Sequence, residues 1–260
     1  MTYCLGIKIK DGLIGLADGR ITSGTQLSAA QKLIMMETQG CKFFIMTSGL
    51  RSVRDKTLAY LRRRLSHERT EGFSTMLEAV NEFSRCLRLV QKEDREALES
   101  SKLTFNLHAI LGGQLSADRE PYMFLVYPEG NWIEVDERTP YLTIGATGYG
   151  KPILDRALRF GTPLQTALKI AYLSFDSTRF SSSDVGYPFD LTTYITTERR
   201  WRLTTFDYDD LVEQRQWWNR NITELLQGLP DSPWVSRLVL PELIRLEPDR
   251  PPIVKAEPDR

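Results

Sequence analysis

The chain is poor in the residues that build disulfide frameworks and metal centres. Its three cysteines, Cys4, Cys41 and Cys86, are odd in number and far apart in 260 residues. They suit neither a cross-linked secreted scaffold nor a zinc site, and they point to a reducing, cytoplasmic setting. Two histidines, His67 and His108, leave little for a histidine-rich metal centre. Net charge is absent too: 34 Lys and Arg balance 34 Asp and Glu, which removes the electrostatic reason to expect nucleic acid or an anionic membrane as partner. No apolar run approaches the roughly 20 residues of a membrane-spanning helix. The opening Met1–Gly6 has no basic or long apolar region, so no secretory signal is expected. No Walker motif, dinucleotide fingerprint or acidic ion loop is present, and neither a cofactor nor a metal is expected.

What is present is an ordinary globular balance, 41% hydrophobic and 26% charged, in a chain long enough for one large domain or two small ones. Tyr3, Leu5, Ile7 and Ile9 alternate, and the Asp11-Gly12 turn leads into Leu13–Ala17, which predicts a β-hairpin. Arg20–Thr25 reads as a polar loop or short strand, and 33–36 and 43–47 as buried strands. Helical spacing follows over 50–65, with Arg62, Arg63 and Arg64 on a solvated face or subunit contact, and again from a cap at Ser74 through Leu87. Strands are expected at 104–111, 122–127, 132–135 and 141–145, helices at 152–160 and 163–175, and a strand at 188–196. Helices bunched in pairs argue against a doubly wound parallel sheet and suit an α+β, four-layer αββα sandwich. A polar helix over 209–227 carries Trp217 and Trp218, and prolines then interrupt the chain to its end. The expected domains are 2–228, appended helix included, and an extended tail over 229–260.

Thr2 is the sharpest chemical feature. Removal of Met1 before a small residue would leave threonine first, with a hydroxyl nucleophile and a free α-amine on one residue. That amine has an ordinary pKa of about 7.7–8.0 and can serve as base. Asp18 ends the second strand and Lys32 follows a Ser/Thr-rich loop. A buried lysine beside the hydroxyl would lower its pKa, and an aspartate would keep that lysine charged and fixed. Cys4 is expected to be a buried strand residue, His108 a satisfied core or interface side chain, and His67 exposed.

Thr2, the Ala17-Asp18-x-Arg20 motif, Lys32 and the strand-to-helix turn Thr47-Ser48-Gly49 together resemble the proteasome β-subunit group of N-terminal nucleophile hydrolases. The segment Ile144-Gly145-x-x-x-Tyr149-Gly150-Lys151-Pro152-Ile153-Leu154-Asp155-Arg156 is similar, more narrowly, to the bacterial proteasome homologues called Anbu, for ancestral β subunit. So is Ser174–Thr178 followed by Val185-Gly186-x-Pro188. The resemblance runs over about residues 2–225 and implies the αββα sandwich. It implies Thr2 as nucleophile, Asp18 orienting Lys32, Lys32 tuning the hydroxyl and Arg20 supporting the site. A backbone N–H of Ser48 or Gly49 would form the oxyanion hole, Met46 would line the pocket before the scissile bond, and Asp176 would help hold the terminal amine.

Two positions depart from that pattern. Ala146 or Thr147 stands where a serine is expected, and Asp184 replaces the serine before Val185-Gly186. A carboxylate there favours the protonated amine, the wrong state for a base, although Ser181–Ser183 offer substitute hydroxyls. The leading expectation is a threonine-nucleophile amidohydrolase, a peptidase acting on peptide or amide substrates. The alternatives are an inactive assembly subunit and an amide-transfer or peptide-maturation enzyme using the same acyl chemistry. Identical subunits are the expected partners, in a large ring-like or open helical oligomer, because apolar residues such as Trp234, Leu238, Leu243 and Leu246 in the proline-broken tail need a surface to cover.

Overall fold

All fourteen strand positions of the first hairpin, Tyr3–Ile9 (β1) and Gly12–Asp18 (β2), are buried. Strands covered on both faces lose the alternating polar face of a half-solvated sheet. The computed structural model describes residues 2–23, 26–29, 31–66, 72–230, 233, 235 and 238. After the hairpin come Arg20–Ser23 (β3), Gln26–Ala29 (β4), Leu33–Thr38 (β5) and Cys41–Gly49 (β6). Two helices follow, Arg51–Leu65 (α1) and Met76–Ser100 (α2), then strands Leu107–Gly113 (β7), Tyr122–Val126 (β8), Trp132–Glu134 (β9) and Tyr141–Gly145 (β10). Lys151–Ala157 (α3), Leu164–Ser181 (α4), Phe189–Ile195 (β11), Arg200–Phe206 (β12) and Val212–Gln227 (α5) complete the order.

Two five-stranded antiparallel sheets form, β10-β1-β2-β11-β12 and β5-β6-β7-β8-β9, with β3-β4 as a separate ribbon. The apolar layer between the sheets contains Cys4, Leu13 and Ala17 from the first and Leu33, Phe44, Met46 and Ile110 from the second. The other face of the second sheet, with Phe43, Ile45 and Leu111, packs on Val53, Leu58 and Leu61 of α1 and Val80, Phe83 and Leu87 of α2. On the first sheet, Phe175 of α4 meets Phe189 of β11 with ring centroids 4.6 Å apart. These are the four layers expected from the element order.

Several boundaries differ from the sequence reading, each for a physical reason. The cap of α2 is Thr75, not Ser74: Thr75 accepts from the Glu78 N–H while the Glu78 side chain reaches back, a reciprocal capping box. That helix continues to Ser100, although Val90 is its last buried residue; beyond it the partly buried Leu98 and surface pairs such as Arg95–Glu99 mark the helix. β3 lies within the stretch 20–25 read as a polar loop or short strand, β4 follows just beyond it, and β12 lies beyond the last expected strand. β12 is an edge strand with no buried side chain, so its pairing with β11, for example Thr193 with Arg202, is what defines it.

The chain divides into two compact units, Met1–Asp210 and Leu211–Arg260. The sandwich is the first, and α5 belongs to the second, whereas the sequence reading grouped α5 with the sandwich. His67 and the tail residues Trp234, Leu243 and Leu246 lie outside the described residues; Leu238 is exposed.

Candidate active site

The β1–β2 register pairs Cys4 with Ala17 and so carries Tyr3 across from Asp18, the last residue of β2. The Tyr3 N–H donates to Asp18 Oδ1 at 2.8 Å. Lys32 Nζ donates to the same oxygen at 2.8 Å and to the Arg20 carbonyl at 2.6 Å. Both partners are buried, Asp18 fully and Lys32 with 4% of its surface exposed. Burial pushes the Asp18 carboxyl above its usual range, while the Lys32 ammonium and the Tyr3 and Gly186 N–H groups pull it back. Its Oδ2 is buried with no direct hydrogen bond among the described residues. The ionised state therefore rests largely on the two contacts at Oδ1.

Thr2 sits directly before this junction and is partly buried. Its carbonyl accepts from the Ala146 N–H at 2.7 Å. Gly145 makes that approach possible: its φ is +90°, and a Cβ there would lie 1.8 Å from the Thr2 carbonyl oxygen. Ala146, one of the two positions at which a serine was expected, thus contributes its backbone beside Thr2.

Residues 47–49, read as a strand-to-helix turn, are the end of β6, and register sets which neighbours they have. β5 begins at Leu33, opposite Met46, so Thr47, Ser48 and Gly49 overhang it on the side of Lys32. On their other side they pair with Ala109, His108 and Leu107. Alternate residues of an antiparallel strand direct N–H groups to the same neighbour, so the overhang leaves N–H donors without a strand partner on the Lys32 side. Cys4 Sγ lies 3.8 Å from the Thr47 carbonyl oxygen and links the start of β1 to this end of β6. Gly49 has φ +136°, and a Cβ there would come within 2.2 Å of the Asn106 carbonyl oxygen.

The remaining expected residues occupy varied places. Arg20 donates through Nη1 to the Ser183 carbonyl at 2.9 Å, tying the 182–186 loop to the start of β3. Met46 is fully buried in the core between the sheets. Asp176 is joined to Arg179 at 2.7 Å, and that guanidinium stands over the rings of Tyr187 and Tyr208. No cluster of metal-ligating side chains occurs among the described residues.

Residues 2–193 match the Proteasome subunit family. The chain belongs to this family. The proteasome-subunit fold is shared with solved Anbu structures, of which this chain is a homologue. Anbu (ancestral beta-subunit) from Yersinia bercovieri is 30% identical, with 88% of this chain and 98% of that one covered and a TM-score of 0.77. The helical assembly of the Anbu complex from Pseudomonas aeruginosa is 29% identical over 90% and 99% of the two chains, with a TM-score of 0.81. A Gly-1 mutant of Anbu from Hyphomicrobium sp. strain MC1 is 28% identical over 89% and 99%, at 0.80. Comparison with curated proteins returned no match.

Within this proteasome-like subunit, sequence reasoning missed Tyr3 and the backbone contact that the Gly145-Ala146 step makes with Thr2. Tyr3 reads as one more apolar strand residue, and only the β2 partner reveals that its N–H meets a carboxylate. A glycine closing the alternating run 141–145 was the one available signal for the second.

Proposed function

We propose that the subunit is a threonine-nucleophile amidohydrolase, a peptidase, that acts once Met1 has been removed. The observation carrying this reading is the shared Asp18 Oδ1, which holds a buried Lys32 ammonium against the backbone that presents Thr2. In the proposed reaction the Thr2 α-amine takes the proton from Oγ as Oγ attacks the amide carbonyl carbon. N–H groups of the 47–49 turn receive the resulting oxyanion, and the Lys32 charge favours the alkoxide character of Oγ. Collapse breaks the C–N bond, the departing amine leaves with the proton from the Thr2 ammonium, and an ester remains on Oγ. Water, deprotonated by the same amine, then hydrolyses the ester and restores Thr2.

The test is incubation of the purified protein with a threonine-directed β-lactone or epoxyketone, followed by mapping of the adduct. Modification of Thr2 supports the reading, together with loss of hydrolysis in Thr2→Ala at unchanged thermal stability. Retention of Met1 in the intact mass, or full activity in Thr2→Ala, overturns it.

Identical subunits are the proposed partners. The Pseudomonas aeruginosa relative is described as a helical assembly, and in this chain Trp217, Leu225, Leu226 and Leu229 of the second unit are more than half exposed. Light scattering should give a large oligomer for the full chain and a smaller one after deletion of 229–260. The free cysteines, two of them buried, suit a cytoplasmic site of action.

A further inference from the structure

The residue that follows Thr2 is held at two ends. Tyr3 is fully buried, and its backbone N–H is bound to Asp18 Oδ1. Its side chain crosses into the helical layer, where its hydroxyl shares a 2.5 Å hydrogen bond with Oγ of Ser174 on α4, a residue that is likewise fully buried. Thr178, one turn further along α4, lies beside the same hydroxyl and bonds the Ser174 carbonyl at 2.8 Å. Gly150, at the start of α3, leaves the room this needs: a Cβ there would fall 2.4 Å from Ser174 Oγ and 2.7 Å from the Tyr3 hydroxyl.

We propose that Tyr3 is a positioning residue for Thr2, its hydroxyl clamp on Ser174 fixing both the nucleophile and the Asp18–Lys32 pair. This inference rests on the assignment of Thr2 as nucleophile. Once Met1 is gone, Thr2 has no chain on its other side, and a strand end held only by its own backbone frays. The Ala146 N–H restrains the Thr2 carbonyl, and the next fixed point is Tyr3. Displacing Tyr3 also displaces its N–H from the oxygen that Lys32 shares, so a single movement disturbs the nucleophile and the group that tunes it. Ordinary core packing needs the ring but not the hydroxyl. A phenylalanine would fill the same space.

Tyr3→Phe, Ser174→Ala and the double variant separate positioning from stability. Each single change breaks the hydrogen bond between two buried hydroxyls while leaving one of them in place and lowers thermal stability, whereas the double change removes both hydroxyls and recovers much of it. In all three, acylation of Thr2 by a β-lactone should slow about tenfold to a hundredfold, seen as a fall in kcat with little change in KM for a peptide substrate. Wild-type acylation in Tyr3→Phe, or recovery of acylation along with stability in the double variant, overturns the proposal. Hydrogen exchange over residues 2–9 gives a readout independent of activity: it should accelerate in Tyr3→Phe and in the double variant while β6 and β7 are unchanged. Unaltered exchange overturns the clamp. If the wild type is itself not acylated, the nucleophile assignment fails, and the exchange result still decides whether the hydroxyl fixes the strand end.

Discussion

Lys32 Nζ and Asp18 Oδ1 stand 2.8 Å apart in an environment almost closed to water. A buried ion pair is a poor device for stability, since desolving both charges offsets much of their attraction, and an apolar pair of similar size often serves as well. Its value here is placement. The aspartate is fixed by a strand register, and the lysine by that aspartate and the Arg20 carbonyl.

Removing one partner should therefore harm the protein twice. Lys32→Ala is expected to cost about 3–5 kcal/mol of stability by stranding a buried carboxylate and to abolish turnover. The charge-free pair Lys32→Met with Asp18→Asn should regain much of that stability in urea denaturation but none of the activity. Wild-type kcat in either variant would show that Lys32 takes no part in the reaction.

Gly49→Ala should be among the more damaging single-atom additions. The backbone there has φ +136°, and the new methyl meets the Asn106 carbonyl oxygen at 2.2 Å, so the turn must move. A loss of at least about 2 kcal/mol is expected, with a larger fall in β-lactone acylation than stability alone explains. Equal acylation rates would remove the 47–49 turn from the oxyanion assignment.

At Asp184 the expected outcome is a gain or no change. Asp184→Ser installs the hydroxyl that resemblance to the family calls for, in place of a carboxylate that would favour a protonated amine if it faces Thr2. The pH dependence of kcat/KM should then extend to lower pH as the Thr2 amine becomes easier to deprotonate. A large loss of activity would mean that the carboxylate has been recruited into the site.

His108 provides a pH signature at the edge of the same turn. It pairs across the sheet with Ser48, its ring meets Tyr127 at 6.0 Å, and burial pushes its imidazole below the usual value, with Glu129 partly opposing. A proton therefore binds the unfolded chain more readily than the folded one. Stability should be level above pH about 6.5 and fall as pH drops from there toward the folded-state pKa. His108→Asn should flatten that fall in urea midpoints measured between pH 7.5 and 5, and a ring titration at or above the ordinary value would contradict the burial argument.

The sequence by itself determined the layers. Strand runs at 3–9, 13–17, 33–36 and 43–47 and the paired helices are written in hydrophobic pattern, because a two-sided core demands apolar residues wherever chain crosses it. It also marked Thr2, Asp18 and Lys32 through residue chemistry and family resemblance. Elements that bury little were illegible: β12 exists through its pairing with β11, and the last turns of α2 through surface charge pairs, where apolar side chains such as Trp201 and Leu98 are only partly buried. Tertiary structure alone decided that Tyr3 and Lys32 share one oxygen of Asp18 and that Ala146 holds Thr2. The reason is physical: these contacts depend on strand register and on sheets meeting helices, relations between segments as much as 171 residues apart in the case of Tyr3 and Ser174, which no local pattern encodes.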